Sequence, residues 1–237
     1  MDNKSSFLYL CSPLLHKSVR AILDKLGGKD FDISKCSRLD APVSSHPDML
    51  FSELNDGTLI TEGAYFYENE VFFKSLPFYE RIKPSVTLLA PKYPCDVAFD
   101  VIRHNRIVVG KAPYIAPEII ADATDVIDVK QGYALCSTLK AKSFAITADK
   151  HLCKVLMDNN CETLLVSSDN IILNGYNCGF IGGASCVIEK LKTVVFFGNI
   201  EAHPDYLRIK DFIESFGYKL TYPKDMPLED FGGIKII

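Results

Sequence analysis

A unit of about 45 residues reading strand, strand, helix, strand recurs along this chain, and no other feature restricts its fold so tightly. The third copy is the clearest. Strands are predicted over 135–141 and 144–147, with a tight connection at Lys142-Ser143, then a short helix over 151–159 and an apolar strand over 162–166. Leu152, Val155 and Leu156 share one face of that helix. The fourth copy repeats the order, with strands over 184–188 and 193–197, a helix over 206–216 and a strand over 219–222. Ile209, Phe212, Ile213 and Phe216 follow the spacing of a buried helical face, and Gly217 supplies a stop. In the second copy, strands over 96–103 and 106–110 precede a helix opening at Pro117 and a strand over 125–129. The first copy is looser. It has strands over 49–54 and 58–61, an irregular stretch that includes 72–79, and a strand over 86–90.

The two ends complete the pattern. The N-terminal part has a strand at 7–11, a Ser12-Pro13 cap, a helix over 14–26 stopped by Gly27-Gly28, and a strand over 31–34. The last apolar strand, over 232–237, has no unit of its own. Joined, the two pieces make a fifth strand-strand-helix-strand block. The expected fold is therefore α/β (α+β): a five-bladed α/β propeller of ββαβ repeats, a single domain over 1–237, with the ring closed by pairing the N- and C-terminal strands. Closure of this kind removes exposed sheet edges at the seam. The alternative is a three-layer sandwich on a mostly parallel sheet. Against it, each block contains a tight hairpin, and no Gly-rich loop opens a helix after a strand.

Composition narrows the function classes. Hydrophobic residues make up 48% of the chain, enough for a substantial core. A net charge of −4 gives no electrostatic footprint for nucleic acid or an anionic membrane. No apolar run approaches the ~20 residues of a membrane-spanning helix, and no signal peptide is evident. Eight cysteines without CxxC spacing read as reduced, mostly buried thiols. The expectation is a cytoplasmic protein with no nucleic-acid or membrane partner; an oligomer is open but not indicated.

Short motifs then align with a known family. Pro47-Asp48-Met49-Leu50-Phe51-Ser52-Glu53, followed by Gly57-Thr58-Leu59-Ile60-Thr61, resembles a PDxxFxED element and its next strand. Cys95-Asp96-Val97 with Arg106-Ile107-Val108-Val109-Gly110 resembles EGGDV…IFVG, and Ala184-Ser185-Cys186-Val187 is similar to AANCL. Asp230-Phe231-Gly232-Gly233-Ile234-Lys235-Ile236 resembles DGGLTC. These are elements of the pentein superfamily, the guanidino-group-modifying enzyme fold, which includes deiminases, hydrolases, amidinotransferases and a non-enzymatic ribosome anti-association factor. The chain is similar overall to an uncharacterised bacterial group of that fold carrying HPDM, QGYAxCST, GFIGGAS and AHPD segments, here 46–49, 131–138, 179–185 and 202–205.

The resemblance implies a thiolate nucleophile, a proton-transferring histidine and carboxylates that grip a cationic substrate. This chain departs from each. Ile236 stands where the nucleophilic cysteine belongs, Leu54 where an aspartate would hold the guanidinium, and Tyr93 in place of a glutamate. The histidine position falls near Ala134 or Leu135; Asp96 alone keeps its acid. An alkyl group cannot act as a thiolate, so the family's standard mechanism is not expected.

In this fold the first strand of each blade lines the central channel. The corresponding starts here are His46-Pro47-Asp48, Cys95-Asp96, Cys136-Ser137, Ala184-Ser185-Cys186 and Gly232-Gly233. One reading makes Cys136 or Cys95 a relocated nucleophile with His46 as base. Another makes His46, Asp48, Cys95 and Cys136 metal ligands, although no local spacing supports it. A third makes the thiols apolar fillers and the aspartates partners for buried N–H groups. The working expectation is binding of a small polar ligand, of amino or guanidino type, by Asp48, Asp96, Cys95, Ser137 and Ser185, without cofactor or metal. Cys136 and His46 are the catalytic candidates if the protein is a divergent hydrolase or amidinotransferase-like enzyme. A non-catalytic protein-interaction module is the remaining alternative. A second His-Pro-Asp, at His203-Pro204-Asp205, is expected to open a helix, and glycine-rich 175–183 to form a flexible loop over the channel mouth.

Overall fold

Each sequence unit folds into its own small sheet. The computed structural model describes residues 7–237, which form five three-stranded sheets. Four come from consecutive segments: β3 (Phe51–Glu53), β4 (Leu59–Glu62) and β5 (Ile82–Ser85); β6 (Ile102–His104), β7 (Ile107–Gly110) and β8 (Asp125–Asp128); β9 (Thr138–Lys140), β10 (Phe144–Thr147) and β11 (Glu162–Leu165); β12 (Ser185–Ile188), β13 (Thr193–Phe196) and β14 (Lys219–Thr221). In all four the first strand runs antiparallel to the second, and the second parallel to the third. The parallel step needs a crossover, and helices supply it: α3 (Gly63–Glu68) and α4 (Glu70–Ser75), α5 (Pro117–Ala121), α6 (Lys150–Asp158) and α7 (Tyr206–Ser215).

The fifth sheet joins the two ends of the chain. β15 (Ile234–Ile236) pairs antiparallel with β1 (Phe7–Cys11) in the register Tyr9↔Ile236, Leu10↔Lys235 and Cys11↔Ile234. β1 then pairs parallel with β2 (Gly28–Asp32) after α1 (Lys17–Lys25). Five separate mixed sheets replace the single, mostly parallel sheet of the sandwich alternative.

Local chemistry explains the helix ends. The Asp149 carboxylate accepts from the amides of His151 and Leu152, both at 2.8 Å, and so caps α6. Gly27, at φ +89°, ends the first helical segment in a conformation that glycine adopts without steric cost. Middle strands β10 and β13 are buried along their whole length. Phe144 of β10 packs against Phe212, Phe216 and Tyr218 at ring-centroid distances of 5.0–5.6 Å. Each such ring contributes about 1.5–3 kcal/mol by leaving water.

Several predicted strands shift: the one expected over 31–34 is Gly28–Asp32, the one over 135–141 starts at Thr138, and two more move further. The stretch 86–90 is irregular, and the edge strand of its sheet is Ile82–Ser85, which holds Pro84. Proline donates no N–H, and an edge strand tolerates that. The strand expected over 96–103 is mostly turns, with only Ile102–His104 in the sheet. Those turns fold an acidic side chain, Asp100, into the interior. No helix among the described residues is long and apolar enough to cross a membrane.

Candidate functional site

The first strand of every sheet contributes to one cavity of about 580 Å³. Its wall includes Glu53 of β3, Arg103 of β6, Lys140 of β9, Ser185 of β12 and Lys235 of β15. Asp48, Leu135, Gly182, Gly232 and Gly233 line it just before those strands begin. The Lys235 ammonium forms no hydrogen bond or ion pair among the described residues.

Beside that cavity lies a buried cluster of acids. Asp48 sits in the short helix α2 (Pro47–Leu50), held by its amide donating to the Gly232 carbonyl at 3.1 Å. Its Oδ2 lies 2.7 Å from Cys136 Sγ. Asp100 is fully buried, and its Oδ1 accepts from the amides of Leu135 (2.5 Å) and Cys136 (3.1 Å). The turn carrying Cys136 therefore wraps around one carboxylate and presses its thiol against another. Asp48 Oδ1 and Asp100 Oδ2 are buried with no hydrogen-bond partner among the described residues. Burial raises both carboxyl groups to about 7, and the charge of Asp100 adds to the effect on Asp48. The Cys136 thiol is pushed well above its ordinary value by burial and by the charges of Asp100 and Asp48.

A third buried acid adjoins these two. Asp230 accepts from the amides of Phe180 (2.8 Å) and Gly232 (2.9 Å), and burial raises it to about 7. His46 Nδ1 stands 3.8 Å from Asp230 Oδ1. Burial lowers the imidazole to about 4, which keeps it neutral at physiological pH.

Glycines make this packing fit. A Cβ on Gly182 would strike the Leu135 carbonyl and approach those of Cys136 and Thr138 to 2.6 Å. One on Gly183 would strike the Asp230 carboxylate, and one on Gly232 would strike His46. The glycine-rich segment 175–183, expected as a flexible loop over a mouth, instead packs through Gly179, Gly182 and Gly183 against the acid-bearing turns. Its Phe180 amide secures Asp230.

Of the residues singled out from the sequence, the structure brings Asp48 and Cys136 together and places Asp48 and Ser185 in the cavity wall. The Ser185 hydroxyl is already used, donating to the Ile181 carbonyl at 2.7 Å. Ser137 is buried with its hydroxyl unpartnered among the described residues. His46, a neutral ring, faces Asp230 and makes no hydrogen bond to Cys136 among the described residues. Asp96 lies outside the cavity wall; its Oδ2 accepts from the Tyr133 hydroxyl at 2.7 Å. Cys95 is exposed and also lies outside that wall. His203 and Asp205 brace a loop: Asp205 N donates to His203 Nδ1 and Asp205 Oδ2 accepts from the Ser167 amide. Asp100 and Lys235 went unmarked as candidates. Each is a charged residue within an apolar run, Val97-Ala98-Phe99-Asp100-Val101-Ile102 and Gly233-Ile234-Lys235-Ile236-Ile237, and that pattern is the signal that finds them.

A solved structure shares this fold. A crystal structure of dimethylarginine dimethylaminohydrolase, a histidine-to-glycine variant as its adduct with S-methyl-L-thiocitrulline, superposes with a TM-score of 0.55 at 9% sequence identity, over 93% of this chain and 92% of that chain. The chain thus shares the fold of a guanidino-group-modifying hydrolase, the pentein fold. It belongs to the family of unknown function DUF6873, whose model matches residues 11–235. No curated protein matches the chain significantly.

Proposed function

We propose that the five sheets are the blades of a ring around this cavity and that the protein binds a small polar ligand there, one bearing an amino or guanidino group, without the family's cysteine nucleophile. One observation carries the reading. The cavity receives a strand from every sheet, and its wall holds Asp48, a buried carboxylate with an oxygen that no donor satisfies among the described residues. A carboxylate only accepts hydrogen bonds, so a cationic donor is the natural complement. Arg103, Lys140 and Lys235 along the same wall suit a ligand with a second, anionic or polar end.

The relocated-thiol enzyme is less well supported. A nucleophilic cysteine needs neighbours that favour the thiolate, whereas burial and two carboxylates hold the Cys136 proton in place. Ile236, at the nucleophile's position by resemblance, carries no thiol.

Isothermal titration of the chelator-treated protein with arginine, agmatine and methylated guanidines tests the proposal. Binding of at least one of them, weakened about tenfold or more by Asp48→Asn, is expected, since loss of a buried charge-assisted pair is worth 1.4 kcal/mol or more. No heat with any ligand, or an affinity indifferent to Asp48→Asn, overturns it.

A further inference from the structure

We propose that Asp48, Asp100 and Cys136 form a buried divalent-metal site, suited to zinc, against the inner wall of the cavity. This goes beyond the ligand reading and stands without it, and the ion and a cationic ligand compete for Asp48 Oδ1. The ligand atoms of the three residues all lie within 4.8 Å of one another, and all three side chains are buried. Such spacing suits one ion, because zinc holds thiolate sulfur at about 2.3 Å and carboxylate oxygen at about 2.0–2.2 Å.

Charge accounting points the same way. Two carboxyl groups and a thiol share a buried space, where ionising them together costs several kcal/mol unless a cation offsets the charge, and a bound ion supplies that offset. Among the described residues no cationic side chain contacts either carboxylate. Lys235 feels both carboxylates yet makes no ion pair with either among the described residues. Two oxygens, Asp48 Oδ1 and Asp100 Oδ2, are left buried and unpartnered. Each belongs to a side chain no more than 3% exposed.

The surroundings also orient the ligands. The amides of Leu135 and Cys136 occupy Asp100 Oδ1, which leaves Oδ2 as its free donor atom. Fixed second contacts of this kind are what hold metal ligands in position. The donor set of one sulfur and two oxygens favours zinc over magnesium or calcium, which take oxygen alone. On binding, the ion takes the thiolate and the thiol proton passes to solvent, so metal uptake releases acid. Asp48 and Leu135 lie in the cavity wall, so a remaining coordination position can face the cavity.

The test uses full-length protein stripped with a chelator and titrated with Co²⁺, then Zn²⁺. One equivalent of Co²⁺ is expected to produce a thiolate-to-cobalt charge-transfer band that Zn²⁺ bleaches. Cys136→Ser should lose the band, Asp100→Asn should weaken Co²⁺ binding about tenfold or more, and Cys95→Ser should leave the band unchanged. Circular dichroism shows which variants fold. A folded wild type without the band overturns the proposal, as does a band that survives in folded Cys136→Ser. If Cys136→Ser does not fold, an Asp100→Asn protein with undiminished Co²⁺ affinity has the same force. Because these titrations contain metal alone, their outcome is independent of the ligand titrations above.

Discussion

Cys136 Sγ lies 2.7 Å from Asp48 Oδ2, and the residues forming this contact are separated by 88 positions in the chain. The contact joins the turn before β9 to the helix before β3, and Asp100 enters it from the turns before β6. Burial and the carboxylates of Asp48 and Asp100 disfavour the thiolate, so without a bound cation the Cys136 thiol remains protonated. The thiol should then be inert. With a chromogenic disulfide near neutral pH, the exposed Cys95 and Cys178 are expected to react first, and Cys136 only on unfolding. Fast labelling of Cys136, located by peptide mass, would show an activated thiol and revive the enzyme reading.

The close approach around Gly182 makes a sharper demand on stability. A methyl group there meets three backbone carbonyls, which cannot swing aside as a side-chain tip can. Gly182→Ala is expected to lower stability by about 3 kcal/mol or more. Gly217→Ala is the control: nothing lies within 4 Å of its added methyl, and only its φ of +76° is unfavourable. That substitution should lose about 1 kcal/mol. Urea unfolding monitored by circular dichroism measures both, and equal losses would mean that the turns before β9 and β12 can part without penalty.

Much of the fold was legible because its signals are local. Ile209, Phe212 and Ile213 mark α7 by spacing alone, and four of the five sheets arise from contiguous segments whose order the repeat reveals. The β1–β15 pairing was legible only by elimination, as the leftover strand and the incomplete unit needed each other. The strand at Ile82–Ser85 was hidden because Pro84 reads as a breaker, and the apolar Val86, Leu88 and Leu89 nearby imitate a strand. The site was legible in part. Asp48 and Cys136 stood out, whereas their partner Asp100 sits in a turn whose direction no periodicity encodes. Asp96, four residues earlier, carried the motif resemblance and drew attention from it. Whether an acid on this stretch meets the Cys136 turn or the Tyr133 hydroxyl depends on tertiary packing.

Glu62 shows how far a single buried acid can organise a region. Its carboxylate accepts from the Tyr65 amide at 2.7 Å and the Leu89 amide at 3.2 Å, and it binds the Arg38 guanidinium through both oxygens at 2.6 and 2.8 Å. The segment around Arg38, the first turn of α3 and the 86–90 stretch are thereby tied together. Glu62→Ala removes the acceptor of four N–H donors from three residues, at a carboxylate with no exposure, and is expected to destabilise by about 3–5 kcal/mol. Glu62→Gln keeps the shape and one acceptor and should lose less. Thermal unfolding of both variants provides the ranking, and a Glu62→Ala protein as stable as wild type would show that these contacts contribute nothing net.

His203 should make stability fall in mild acid. The ring is buried, its Nδ1 accepts from the Asp205 amide at 3.1 Å, and Nε2 lies 3.2 Å from the Ser167 carbonyl. An accepting Nδ1 requires the neutral ring with the proton on Nε2. Burial accordingly lowers its pKa below the ordinary histidine value. A folded-state pKa below the unfolded one means that the unfolded chain binds the extra proton first. The stabilisation is thus complete above about pH 6.5 and is lost as pH falls through the folded-state value. An asparagine oxygen can accept the same amide two residues on without titrating, so His203→Asn should remove this part of the acid sensitivity. His46 is lowered as well and will still contribute in both proteins. The comparison therefore isolates His203: as pH falls below about 6.5, wild type should lose measurably more stability than His203→Asn in urea unfolding. Parallel losses would mean that the loop at Ser167 releases the ring to solvent before it protonates.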